Sequence, residues 1–487
     1  MMKQKAGVTL LPRRIGVPRF RLVANLCARR NAMFVFSKIV GAIENCRALL
    51  DKLTRPVRPY WKRFQQRENG RRMNRRDFLR KAGAVAVGAG TPLAPFAEEG
   101  SCSSINIRWD FSGGSLARVD RIGTDSFRCH VKGQVDQDGR NRQASWFYFR
   151  VDGAKGRLLT FTMVDLRGEY NYHPTMGAID KNTLPFYSSD RLNWTPVETG
   201  TYDRSEPSLT YQVQMDADRV WIAWVPPYTL ENFRKLAADL SRIPDVLIEE
   251  IGRSVQGREI PLITITDRSV PDNGKKVLWL MFRQHAWEAG SSWTGEGAMR
   301  FVTSSDPLAK QIRRKAIVKV LPLSDPDGVA NGTVRFNVYG YDLNRNWDVV
   351  DPVKMPEITA ERQSILDWFD GGNRIDFFVT LHNDEGNEHL VGPPNEKWLP
   401  LEKKAWGNWS SCSTVAATLG PELMAATTTV GKPGRMNVVQ GLSHDRGLPA
   451  FEIEMMIVKN PKLGRGPNIH DRLLAGQELV PAIWKSI

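Results

Sequence analysis

The sequence predicts two fold classes in one chain: an all-β sandwich over residues 101–228, then an α/β domain over 229–487. The second is expected to hold a mostly parallel or mixed sheet with helices on both faces. Two observations carry this. Residues 101–228 contain short segments rich in aromatic and β-branched residues, separated by Gly, Asp and Asn turns, with no helical period between them. Residues 229–487 instead alternate near-continuous apolar runs with helical periods, as a sheet covered on both faces requires. At 487 residues the chain has room for two or three domains.

The basic charge is concentrated at the N-terminus. The formal net charge of +15 invites a nucleic-acid or membrane reading. Residues 1–72 hold 18 Lys+Arg against 3 Asp+Glu, and residues 73–97 hold 4 against 1, so from Glu98 onward the chain is net −3. No basic footprint for nucleic acid remains. "MNRRDFLRKAGAVAVGAGTPLAPFA" opens at Met73 with Arg75-Arg76, then Phe78-Leu79 and a small-residue stretch. It resembles a twin-arginine export signal, with cleavage expected near Ala97 and a periplasmic or secreted product. Translation is therefore expected to start at Met73, residues 1–72 being an upstream extension or a disordered basic segment. The run "AMFVFSKIVGAI" falls short of the roughly 18 residues a membrane span needs, so no stable membrane insertion of the mature chain is expected. Cys102, Cys129 and Cys412 follow the leader, and an oxidising compartment permits a Cys102–Cys129 disulfide.

In the first exported domain "SWFYFRVDG", "GRLLTFTMVDL", "SLTYQVQMD" and "RVWIAWVPPY" read as strands, several alternating apolar with polar. "TLENFRKLAADLSRI" then reads as a helix with Thr229 as N-cap. "PLITITD", "KKVLWLMF", "KAIVKVLPL", "RIDFFVTL" and "LPAFEIEMM" read as strands; "TGEGAMRFVTS" and "EITAERQSILDWFDG" read as helices.

In open α/β sheets ligands bind beyond the carboxyl ends of the strands. "KKVLWLMFRQH" delivers His285 there, with Glu288 three residues on, and "RIDFFVTLH" delivers His382. Positions i and i+3 share one face of a helical turn, so two histidines and a glutamate can make a three-ligand zinc site with a position open to water. Such a zinc lowers the pKa of its water toward ~7 and polarises a carbonyl. Glu452 and Glu454 stand in an apolar strand, where an unpaired carboxylate costs several kcal/mol.

HxxE, then PDG followed by Arg335, then DLNRNW, a strand-end histidine and FxxE together resemble the zinc metallocarboxypeptidases. The β domain ahead of them resembles the cytosolic, deglutamylase-like branch and its bacterial relatives, and the likeness covers residues 101–487. The resemblance implies a carboxypeptidase-like fold and one zinc ion held by His285, Glu288 and His382. It implies that Arg335 stabilises the oxyanion and that Asn344 and Arg345 grip the terminal carboxylate of a peptide substrate. Glu454 would be the general base, with Glu452 on the same strand face as the rival. The reaction implied is hydrolysis of a C-terminal peptide bond. A deacylase on the same scaffold, or a peptide-binding protein without turnover, are the alternatives.

Other residues are weighed against this set. His382, Glu385 and His389 form a second HxxE grouping, but a site there leaves His285 and Arg335 unused. Asp342 and Asp348 read as loop-shaping carboxylates. His444 is a substrate contact or a solvated loop residue. Arg435 and Arg446 either favour an acidic terminal residue or are solvated. The last tyrosine of the chain is Tyr341, so the mobile tyrosine of digestive members has no counterpart between His382 and Glu454.

Overall fold

The aromatic segments of the first domain do pair as strands, and their side chains alternate between a buried and a wetter face. Leu158–Val164 and Ser208–Gln214 bury every second residue. These assignments come from a computed structural model that describes residues 105–386, 388–392, 395–416 and 432–487. The expected extension over 1–72, the twin-arginine segment 73–97 and Cys102 lie outside the described residues. Gly100–Ile487 forms one compact unit.

Two five-stranded sheets build the first domain. One runs Asn106–Arg108, Tyr148–Asp152, Arg219–Ala223, Phe186–Ser188, Thr195–Pro196; the other runs Gly200–Asp203, Ser208–Gln214, Leu158–Val164, Ser126–His130, Arg118–Arg121. Their inner faces share one core, in which Phe149 of the first meets Phe161 of the second at 5.5 Å between ring centroids. This is the expected sandwich. Cys129 lies in that core as a free, fully buried thiol. The sequence did not reveal a small third sheet of Gln134–Val135, Arg142–Gln143, Gly168–Tyr170 and His173–Thr175.

The α/β part is a seven-stranded mixed sheet. Its strands are β1 (Val246–Arg253), β2 (Glu259–Ile265), β3 (Lys276–Phe282), β4 (Ala316–Leu321), β5 (Phe377–Asp384), β6 (His389–Val391) and β7 (Ala450–Met456). They lie in the order β1-β2-β4-β3-β5-β7-β6. The inner four, β4, β3, β5 and β7, are mutually parallel, and the other pairings are antiparallel.

Helices cover both faces, and β3 shows why. Leu278, Leu280 and Phe282 enter one core with α1 (Leu230–Leu240), α2 (Ala289–Val302), α3 (Pro307–Lys315), residues of Leu399–Cys412 and residues of Ile469–Trp484. Val277, Trp279 and Met281 enter the opposite core with residues of Pro356–Asp370 and Val438–Arg446. A strand buried on both sides has no polar face, which is why this one reads as an unbroken apolar run. Thr229 caps α1 as expected, its backbone N–H donating to Asn232 at 2.9 Å.

The two parts meet along the turn after β3. Trp287 stacks on Trp224 of the sandwich at 4.8 Å, and both belong to the sandwich core. Burying such a ring is worth a few kcal/mol. The HAWE turn is thereby anchored by the first domain as well as by its own strand.

Candidate metal centre and active site

The parallel ladder sets the site. β3 ends at Phe282, and the chain turns sharply through Arg283, whose φ of 64° lies in the left-handed region that non-glycine residues seldom adopt. The fully buried Arg283 guanidinium secures the turn, donating to the Ala286 carbonyl and to Ser292 Oγ. The Glu288 N–H closes back on the His285 carbonyl at 3.2 Å, which brings the two side chains to one side. Glu288 is the N-cap of α2, rather than lying a turn inside it as its sequence position suggested. His382 stands within β5, which runs on to Asp384 instead of stopping before the histidine.

Three side chains converge here. His285 Nδ1 lies 2.6 Å from Glu288 Oε1, His382 Nδ1 lies 2.9 Å from Glu288 Oε2, and the two Nδ1 atoms are 3.3 Å apart. All three side chains are at most 2% exposed. The far ring nitrogens fix the tautomers. His285 Nε2 donates to Asp342 Oδ1 at 3.0 Å, and His382 Nε2 donates to Gln284 Oε1 at 3.0 Å. Gln284 is oriented by its own amide, which donates to the Leu343 carbonyl at 2.9 Å. With each Nε2 donating outward, both Nδ1 atoms are turned to the Glu288 carboxylate, where either a proton or a metal cation can lie between them. The charges agree. Burial opposes a protonated His382, but Glu288 and Glu452 outweigh it and hold its pKa up at about 9. Burial likewise opposes ionised Glu288, and the two histidines hold it well below the usual carboxylate range. Among the described residues these three form the one cluster with metal-ligand geometry; the His382–Glu385–His389 grouping does not form one.

The two glutamates of β7 part company. In the parallel register Glu454 lies beside His382 and Glu452 beside Thr380. Glu452 is buried and accepts hydrogen bonds from Asn344 at 2.9 Å and Asn437 at 3.4 Å. Glu454 is partly open, and its Oε2 has no hydrogen-bond partner. Burial, with Glu288 and Glu452 close by, pushes its pKa well above the usual carboxylate range against the pull of His382.

Asp342, read from sequence as loop-shaping, is part of the site. One oxygen accepts from His285 and the other from Arg335 Nε at 2.7 Å. Burial opposes its charge, yet Arg335 and His285 hold it well below the carboxylate range. Asp348 does shape a loop, accepting from the backbone of Gly434 and Met436. The Asn344 amide is spent internally, donating to Glu452 and accepting from the Val438 N–H at 3.1 Å. Arg345 instead lines a cleft of about 390 Å³ together with Arg335, Arg140 and Arg435. Arg446 is paired with Asp370 through two contacts of 2.8 Å, away from that cleft. His444 is exposed beside Asp445.

Comparison with known proteins bears on the family and the fold. Residues 233–386 match the zinc carboxypeptidase family and residues 107–225 match the cytosolic carboxypeptidase N-terminal domain. Over those residues the chain is similar to a zinc carboxypeptidase domain. An uncharacterised protein of Zymomonas mobilis is 27% identical over 288 residues, covering 59% of this chain and 70% of that protein. Human cytosolic carboxypeptidase 6 is 27% identical over 291 residues, which is 56% of each chain. This chain thus spans little more than half the length of that carboxypeptidase. Among solved structures, a metallo-carboxypeptidase from Burkholderia cenocepacia superimposes with a TM-score of 0.66 at 23% identity, over 79% of this chain and 98% of its own. One from Pseudomonas aeruginosa does so with 0.64 at 24%, over 77% and 97%. These likenesses establish the fold: a carboxypeptidase-like mixed sheet behind a strand-rich domain.

Two positioning residues, Arg283 and Gln284, escaped the sequence reading. Their signal was present: two polar residues between an apolar strand and a metal-ligand motif must be buried and therefore bonded.

Proposed function

We propose that the protein is a zinc-dependent carboxypeptidase that hydrolyses the C-terminal peptide bond of a peptide with a free carboxylate. The observation that carries this is the pair of Nδ1 atoms facing Glu288, with Glu454, whose Oε2 has no hydrogen-bond partner, on the neighbouring strand. His285, Glu288 and His382 would hold the zinc, which supplies Lewis acidity to acidify a water and polarise a carbonyl. Glu454 takes the proton from the attacking water and returns it to the leaving amine, a task suited to a carboxyl of raised pKa. Arg335, held by Asp342, donates to the oxyanion of the tetrahedral intermediate. Arg345 receives the terminal carboxylate, with Asn344 beneath it locking Glu452 and the start of Val438–Arg446. Arg435 in the same cleft favours an acidic terminal side chain. In the cell the chain acts after export, as its twin-arginine segment implies. N-terminal sequencing of the native protein that found an uncleaved leader would reject that part.

The test combines metal analysis with a peptide screen. Wild type should hold about one zinc per chain and release single residues from peptides with free carboxylates, sparing the same peptides when amidated. His285→Ala should lose both metal and activity. Cleavage of N-acyl amino acids with peptides left intact would move the reading to a deacylase. A metal-free wild type after zinc supplementation would end it.

A further inference from the structure

The segment that carries Arg335 has little secondary structure of its own. After a short helix, Pro326–Asn331, the chain crosses to Asn344 with one isolated bridge between Phe336 and Asp342 and a tight turn at Gly340. The N–H groups of Val334, Arg335 and Phe336 all point the same way, and an acceptor from the other domain fills the hollow they make. That acceptor is the side-chain oxygen of Gln134, 3.1, 2.7 and 2.8 Å from the three nitrogens. The Gln134 amide nitrogen donates in turn to the Phe336 carbonyl. Successive N–H groups converging on one point form a nest, which binds an electron-rich atom firmly.

Two neighbouring contacts brace the same stretch. Gly113 N–H donates to the Ala330 carbonyl at 2.9 Å, and Gln137 N–H donates to the Gly340 carbonyl at 3.0 Å. A Cβ on Gly340 would stand 2.5 Å from the Gln137 nitrogen, so the two loops touch backbone to backbone.

We infer that Gln134 is a positioning residue for catalysis: the strand-rich domain clamps the backbone of residues 334–336 and thereby aims the Arg335 guanidinium. The inference rests on the carboxypeptidase reading for Arg335's role, while the clamp itself is a matter of backbone geometry. It gives the first domain a mechanistic task. An oxyanion donor is effective only when held near its productive geometry, and a misplacement of ~1 Å can cost about 100-fold in rate.

The test uses the full chain with Gln134→Met, which keeps the side chain's length and removes both polar atoms, and Gln134→Glu, which keeps the accepting oxygen. Hydrogen exchange of the peptide spanning residues 332–338 should speed up in Gln134→Met and stay close to wild type in Gln134→Glu. On a peptide that wild type cleaves, kcat of Gln134→Met should fall about 10-fold or more, with KM and zinc content unchanged; Gln134→Glu should recover most of the rate. In an Arg335→Ala background Gln134→Met should cost almost nothing further. Unchanged exchange at 332–338, unchanged kcat, or an equal loss in the Arg335→Ala background each overturns the inference. If Gln134→Met does not fold, a Gln134→Glu variant with kcat as low as Arg335→Ala overturns it too. A wild type inactive on every peptide would fail the carboxypeptidase reading instead, and the exchange result would still decide the clamp.

Discussion

The candidate metal ligands and the arginines near them are held by different means. His285 and His382 follow or lie on adjacent parallel strands, so the β3–β5 ladder fixes their separation before any side chain acts. Arg335 and Arg345 sit on an irregular stretch whose geometry comes from Asp342, Gln134 and contacts to the first domain. A ligand placed by a sheet is insulated from single substitutions around it. An arginine placed by side-chain bonds inherits the fate of each of them, because such networks are worth more whole than in parts.

The sharpest way to test that contrast is within β7, where the ladder presents two glutamates on one face and the surroundings bond one and leave an oxygen of the other without a partner. Glu454→Gln should lower kcat by about 10²–10⁴-fold, the usual worth of a general base, while zinc content stays near one per chain. Glu452→Gln, which keeps an acceptor for Asn344, should cost far less. If the two losses are equal, or in reverse order, environment has not divided the pair. The next effect in size belongs to Asp342, which joins the two regions. Its two oxygens serve His285 and Arg335 separately, and an asparagine can accept for one of them only. Asp342→Asn should therefore weaken zinc affinity and lower kcat together, each by about 10–100-fold. Metal titration alongside steady-state kinetics checks this, and a loss confined to one of the two quantities would show that the regions are independent.

The same division explains what the sequence made legible. The strand-end rule plus HxxE picked out three residues that the fold does bring together, His285, Glu288 and His382, since a ladder translates sequence position into position at a sheet edge. Glu454 was readable for the same reason, and its local rival was separated only by Asn344 and Asn437, which no pattern connects to β7. Asp342 was taken for a turn residue because its partners lie 57 residues upstream and 7 upstream, and only folding brings both to its oxygens. Gln134 stands 202 residues from Phe336. Strand β1 went unread for a different reason. It is an edge strand whose acidic outer residues blur the apolar period.

Under the loop lies a third kind of carboxylate, buried but outside the candidate metal cluster. Glu357 accepts from Asn337 of the loop and from the Val255 N–H, and Asp327 accepts from Ser254, Gln256 and Arg258. Glu361, a turn along the same helix, is fully buried, and that burial pushes its pKa up to about 8 from 4.5. Its proton is thus held in the folded state and released on unfolding over the window between those values. The stability it contributes is complete below about pH 4.5 and drains away as pH rises through about 8. Glu361→Gln, which cannot ionise, should flatten that decline while leaving zinc content and kcat near wild type. Denaturant midpoints measured from pH 5 to 9 decide it, with a shift of a few kcal/mol at most across the window. An unchanged slope would mean that Glu361 is already ionised in the folded protein. In that case a charge would lie beneath the arginine loop, and the loop would rest on electrostatics rather than on neutral packing.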